Sequence, residues 1–320
     1  MAALKVKAAR DTPFGQNLHC FMICFIMSLA NAQYGYDTAT IAAFQAMRGF
    51  LEVFGYRDPS LPAGWGINPT DQQLITSFLN VGTMFGVLFT APFARLSFGG
   101  RKMGIWFGTV LCFVGVAVQM GTETIAGVVV GRTLIGVANA FYITFANAYV
   151  SESAPRHLRA VMGGLFGIMP TFGGMFGAVT VYLTKNVPGK LCYQIPLACL
   201  FFFPTVLSVG ILLFAPESPR WLLIKNRKDE AEKSLRRLRG GAVSEELFQE
   251  EFVEMVKGIE EEKALSRGAS LKEIWKGPNL RRTILCIGVY SSRASSGLWV
   301  FIAYGVSFFF FLLSPFLFKL

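Results

Sequence analysis

An acid inside an apolar stretch is the first feature of this sequence that could do chemistry. Asp37 lies in Tyr34-Gly35-Tyr36-Asp37-Thr38, near the end of an apolar run that begins at about residue 17. An ionised carboxylate at mid-helix in a bilayer costs about 2.5–3.5 kcal/mol on insertion scales, so an acid kept there binds a proton, a cation or a partner side chain. The alternative is an acid close enough to the interface to stay hydrated. Arg132, which follows Gly131 at the start of another apolar run, is the natural partner. An Asp–Arg attraction that depends on protonation is a simple proton-coupling switch. The competing reading is an interfacial arginine whose charge snorkels to water.

A second set of charges stands at the ends of the apolar runs. Glu152 and Arg159 lie in Tyr149-Val150-Ser151-Glu152-Ser153-Ala154-Pro155-Arg156-His157-Leu158-Arg159, Glu217 and Arg220 in Pro216-Glu217-Ser218-Pro219-Arg220-Trp221, and Arg101 beside Lys102 after Gly100. Isolated surface pairs contribute little. Charges at successive helix ends on one side of a membrane can instead form ion pairs that hold a gate closed and reform during transport. Uncharged polar groups at mid-span include Gln33 and Asn139, which serve either helix packing or a ligand. Trp299 either stacks on the apolar face of a ligand or lines its own span. The six cysteines show no paired short spacing, so neither a disulfide framework nor a metal site is expected. No cofactor is called for, and no constellation marks an enzyme.

The elements that position these residues follow from composition. The 320 residues are 53% hydrophobic and 16% charged, too apolar for an ordinary soluble domain. Seven apolar stretches, near 17–43, 72–95, 103–122, 125–150, 160–184, 193–215 and 283–313, are each about the 20 residues needed to cross hydrocarbon as a helix. An all-α membrane protein is predicted, its first stretch a resident helix rather than a removable signal. The net charge of +10 does not point to nucleic acid, because Lys and Arg sit in the connections between spans. Their bias towards alternate connections places the N-terminus in the cytosol. Pro170 among Gly163, Gly164, Gly167, Gly173 and Gly174 predicts a bent, closely packed fifth span.

The organisation expected is a cytosolic N-terminus over 1–16, a six-helix bundle over 17–215, a cytosolic linker over 216–282, a seventh helix over 283–313 and a tail over 314–320. Within the linker, 227–239 and 244–263 space Ala, Leu and Val at three and four residues among charges, the pattern of short amphipathic helices. Six spans, a charged connection and a further span describe half of a two-bundle transporter plus one helix.

The motifs carry a resemblance. Gly35-Tyr36-Asp37-Thr38, Gly131-Arg132, the run from Tyr149 to Arg159, and Pro216-Glu217-Ser218-Pro219-Arg220-Trp221-Leu222-Leu223 resemble the sugar porter family of the major facilitator superfamily, in the right order over nearly the whole chain. The style is that of a fungal member. The resemblance implies an N-terminal six-helix bundle that moves a sugar or polyol by alternating access within a lipid bilayer, with the plasma membrane as its place. It gives Asp37 and Arg132 the proton-coupling roles, puts Tyr34 beside the pathway, and matches Glu152, Arg159, Glu217 and Arg220 to gate ion pairs.

The departures bear on substrate. Ser97 stands where the family has an Asp, Gly167 where it has a sugar-binding Gln, and Arg293-Ala294-Ser295-Ser296-Gly297-Leu298-Trp299 lacks two Gln and an Asn. A buried hydroxyl left unpaired costs about 1–3 kcal/mol, so a hexose does not follow from the resemblance. The expected function is proton-coupled symport of a sugar or polyol, incomplete in a chain that reads as truncated after its seventh helix. The alternative is a non-transporting sensor or remnant without the second bundle. A seven-helix receptor is excluded by the charged insert after the sixth span.

Overall fold

The computed structural model describes residues 17–59, 64–96, 100–155, 157–241, 243–266 and 275–297. The chain divides into two compact units, one through Phe252 and one from Val253, and the site lies wholly in the first.

Six segments of the described residues are long and apolar enough to cross a membrane. They are α1 (Leu18–Phe44), α3 (Pro69–Arg95), α4 (Arg101–Gly121), α5 (Ile125–Ser153), α6 (Arg159–Thr184) and a sixth made of α7 (Leu191–Cys199) and α8 (Phe202–Leu213). The sixth is broken because Pro204 has no N–H for the Leu200 carbonyl, and the chain tightens just before it. The Leu200 and Phe201 amides bond three residues back, to Leu197 and Ala198.

The connection after α1 is more structured than its sequence predicts. It carries α2 (Arg48–Phe54) and a two-residue antiparallel pair, β1 (Tyr56–Arg57) with β2 (Trp65–Gly66), a small departure from an all-α chain. After α8 come α9 (Pro219–Ile224), α10 (Lys228–Arg239) and α11 (Glu245–Ser266), the last running across the division between the units. In the second unit α12 (Gly277–Ser295) begins six residues before the expected start of the seventh span at 283. The rest of that span from 298 on lies outside the described residues.

Within the bundle α1 packs chiefly on α6, while α3 and α4 both pack on α5. Two of the crossings tight enough to demand glycine are reciprocal. A Cβ on Gly35 would lie 1.9 Å from the Pro170 carbonyl oxygen, and one on Gly173 would lie 1.9 Å from that of Ala32. At the second crossing, Gly82 meets the Thr133 carbonyl and Gly136 the Leu79 carbonyl in the same reciprocal way, at 2.3 and 2.2 Å. Backbones that close leave no room for any side chain. Gly163, Gly164 and Gly167 have open space at their Cβ positions, so the close packing of α6 rests on its later glycines.

The prolines leave carbonyls without their helical amides, and other helices satisfy them. Pro170 has no N–H for the Phe166 carbonyl, and Asn31 of α1 donates to it instead at 2.8 Å. The Pro196 carbonyl, freed by the tight turn at Leu200, accepts from the Tyr36 hydroxyl at 3.0 Å. Asn31 lies six residues before Asp37 and Tyr36 next to it, so the stretch of α1 that carries Asp37 also supplies the donors for both carbonyls.

Candidate functional site

Asp37 and Arg132 form an ion pair inside the bundle. Arg132 Nη1 donates to Asp37 Oδ1 at 2.6 Å, and each side chain is 1% exposed. Arg132 Nε also donates to the Ile75 carbonyl at 3.4 Å. Ile75 lies one turn before Leu79, and Arg132 one turn before Gly136, so the glycine crossing of α3 and α5 brings that carbonyl within reach. The second carboxylate oxygen, Asp37 Oδ2, is buried and meets no hydrogen-bond donor among the described residues. A charge pair this deep is strongly attractive while both members are ionised. One proton on Asp37 removes that attraction and leaves Arg132 holding a single backbone carbonyl.

Gln33 lies one helical turn before Asp37 on the same face, and its Nε2 donates to Cys112 Sγ of α4 at 3.6 Å. Asn139 lies two turns after Arg132 and is fully buried. Neither its nitrogen nor its oxygen has a partner among the described residues, and Gln33 Oε1 is likewise unpaired. Tyr34 is half-buried. Trp299, expected beside the substrate, lies outside the described residues.

A second cluster closes the end of the bundle where α4 begins. Arg101 grips Glu152 with Nη2 to Oε1 at 2.6 Å and Nε to Oε2 at 3.1 Å, a two-point geometry that fits guanidinium to carboxylate. Glu217 Oε1 accepts the amides of Arg101 at 3.0 Å, Lys102 at 3.4 Å and Ser218 at 3.0 Å. Its carboxylate thus caps the first turn of α4, where unpaired N–H groups and the helix dipole favour an anion. Gly100 is required for the approach, since a Cβ there would lie 2.3 Å from Glu217 Oε2. Burial pushes the Glu217 carboxyl above the usual carboxylate range, against the pull of those three amides and of Lys102. Arg159 opens α6 on the surface, and Arg220 sits half-buried in the first turn of α9.

Several members of this cluster escaped the sequence reading. Ser218 caps α9 by accepting the Trp221 amide at 3.3 Å, and donates to Glu152 Oε2 at 2.6 Å. Its Ser-Pro pair, cap then first helical position, is a legible signal. The Ser234 hydroxyl donates to the Glu217 carbonyl and Tyr149 to the Pro216 carbonyl at 2.9 Å, while Lys102, already singled out in the sequence beside Arg101, donates its Nζ to the Ala215 carbonyl at 2.8 Å. Arg239, at the end of α10, reaches the base of α1 and α5. It donates to the Ser153 carbonyl at 3.1 Å and to Cys20 Sγ at 3.5 Å, and pairs with Glu251 of α11. Nothing in the local sequence marks it.

This fold is shared with solved structures of XylE. The partially occluded inward-open xylose transporter XylE from E. coli superposes with a TM-score of 0.59 at 18% identity, over 77% of this chain and 61% of that one. The structure of the proton:xylose symporter XylE bound to 6-bromo-6-deoxy-D-glucose gives 0.60 at 18%, over 80% and 55%. The fold of the described residues is the one those structures share, with six segments able to cross a membrane. In sequence, the chain is 26% identical over 291 residues to Hexose transporter 2 of Kluyveromyces lactis, covering 90% of this chain and 50% of that protein. It is 27% identical over 302 residues to the low-affinity glucose transporter HXT3 of Saccharomyces cerevisiae, covering 93% and 52%. The family described as sugar (and other) transporter matches residues 23–312, and the chain belongs to it. The chain spans about half the length of the curated relatives it matches.

Proposed function

We propose that this chain supplies the first bundle and linker of a proton-coupled carrier for a sugar or polyol, working by alternating access in the plasma membrane with its N-terminus in the cytosol. The observation that carries this reading is the sealed Asp37–Arg132 pair, with one carboxylate oxygen left without a donor among the described residues. A proton arriving there neutralises Asp37 and frees Arg132, and that is the change a coupling switch needs. Family membership and the hexose transporters among its relatives support a sugar as cargo.

On this reading Tyr34 borders the pathway, and Gln33 and Asn139 are the buried polar groups behind it. Residues 17–215 form the bundle and 216–282 the cytosolic linker, with 283–313 as the seventh span. Arg101, Glu152 and Glu217, with Arg159 and Arg220 nearby in sequence, make the cytosolic gate. It is closed when Glu217 caps α4 and opens when α9 moves away from it.

The test is uptake by the native gene product reconstituted in liposomes. Asp37→Asn should abolish accumulation driven by a proton gradient while leaving sugar exchange at equal concentrations. Accumulation that survives Asp37→Asn would remove the coupling role, and a failure of all exchange in the wild type would remove the transport reading itself.

A further inference from the structure

Asp37 Oδ2 and Gln33 Oε1 are two buried acceptors that have no hydrogen-bond partner among the described residues, on side chains each 1% exposed. They belong to residues one helical turn apart on one face of α1, the spacing at which Gln and Asp side chains hydrogen-bond along a helix. A sealed acceptor has given up water and gains nothing in exchange. Neither oxygen is open to water, so the missing donor must come from the side chains themselves.

The Gln33 amide has one arm engaged. Its Nε2 donates to Cys112 Sγ of α4 at 3.6 Å, and Oε1 is the arm left over. A thiol is both a weak donor and a weak acceptor, and an amide turned through half a circle exchanges its oxygen and nitrogen within the same outline. Two arrangements of the same three side chains therefore leave neither oxygen alone. With a proton on Asp37 Oδ2, that O–H donates to Gln33 Oε1 while Nε2 stays on the sulfur. With Asp37 ionised, the amide is reversed, Nε2 donates to Oδ2, and the Cys112 S–H donates to Oε1. The thiol keeps its own proton in both.

We propose that Gln33 is a positioning residue for proton coupling, its amide taking one orientation when Asp37 is charged and the reverse when Asp37 is protonated, with the Cys112 thiol serving both. The observed orientation is the one that suits a protonated Asp37. The inference rests on the proton-coupling reading of the Asp37–Arg132 pair. Among the described residues, Arg132 of α5 and Cys112 are the charged and titratable groups at this place. Tyr36 sends its hydroxyl to the Pro196 carbonyl, and Cys199 of α7 acts on Tyr36. The α6 helix has no ionisable side chain between Arg159 and Tyr182, α8 has none, and α10 meets α1 at Cys20, near its other end.

The experiment is an infrared difference titration of the native gene product in phosphatidylcholine nanodiscs. Asp37→Asn identifies the Asp37 carboxylic acid stretch by its loss, and Cys112→Ala identifies the Cys112 S–H stretch among the six cysteines in the same way. As pH falls and the carboxylic acid band appears, the Cys112 S–H stretch should move to higher frequency with the same midpoint, because the thiol stops donating. Gln33→Met should abolish that movement, and should raise the frequency of the carboxylic acid stretch, whose O–H has lost its acceptor. Cys112→Ala should leave the carboxylic acid stretch in place. A wild-type S–H band that stays still while Asp37 titrates overturns the proposal, and so does a movement that persists in Gln33→Met, which would be the direct field of Asp37 on the thiol. If no carboxylic acid band is lost in Asp37→Asn at any pH, Asp37 takes up no proton, and the coupling reading itself falls together with this role for Gln33.

Discussion

The buried pair and the end cluster use the same chemistry to opposite effect. Asp37 and Arg132 are sealed from water and joined by one short contact, and one carboxylate oxygen has no partner among the described residues. Glu152 and Glu217 sit in a partly exposed cluster where both oxygens of Glu152, and one oxygen of Glu217 three times over, accept hydrogen bonds. The first arrangement concentrates its energy in a single contact that one proton can cancel. The second spreads it over α4, α5, α9 and α10, so the loss of any one contact leaves the others in place.

The largest effect should come from breaking the sealed pair on one side. Arg132→Met leaves a buried carboxylate without compensation, and should cost about 3–5 kcal/mol in unfolding free energy. Adding Asp37→Asn to that variant should recover most of the loss, because the stranded charge is removed. A double-mutant cycle by denaturant unfolding in detergent measures both, and additive losses would show that the pair is not coupled.

In the end cluster, Glu217→Ala strips the acceptor from three amides. It should cost about 1–3 kcal/mol, less than the buried pair despite touching more groups. The deletion should also make amide exchange faster at the first turn of α4, which hydrogen-exchange mass spectrometry resolves. A loss as large as that of Arg132→Met would erase the contrast between the two regions.

The smallest effect belongs to the exposed linker pair of Arg236 with Glu245, 2.7 Å apart and reinforced by Gln249. These contacts, the Arg236 hydrogen bond first, lower the Glu245 carboxyl from 4.5 to about 2. A depressed carboxylate stabilises above its unfolded value, so the contribution is present above pH 4.5 and is lost as pH falls towards 2. Being exposed, the pair is also screened by salt. Comparing wild type with Glu245→Gln across that range should show a small difference that shrinks in acid and in high salt.

How much of this could be read from sequence depended on whether the signal was local. Asp37 and Arg132 were legible because a charge within an apolar run is costly enough to need a partner. Arg101, Glu152 and Glu217, which meet in the end cluster, were legible because they fall at helix ends beside distinctive motifs. The Glu217 cap on α4 was hidden, since it joins residues 116 positions apart and needs Gly100 to let the carboxylate in. Pro170 announced a bend, but the Asn31 that repairs it lies 135 residues earlier than the carbonyl it serves. The break in the sixth span was written in Pro204 and overlooked because the apolar run continues through it. The two-residue strand pair after α2 is too short to impose any period on the sequence.

Arg239 has a consequence for how the protein is made. Its contact with Cys20 joins residues 219 positions apart, and its contact with Ser153 reaches back to the end of the fourth apolar segment. While a ribosome is still translating the sixth segment, the base of α1 and α5 lacks this guanidinium, and the Ser153 carbonyl keeps the Cys20 thiol, at 3.5 Å, without the charged donor beside it. Only after Glu251 has been synthesised can Arg239 settle with its charge paired. The first helix to enter the membrane is therefore among the last to be finished, and a nascent chain arrested before the linker should be recognised as immature by the cell's surveillance of unassembled membrane segments.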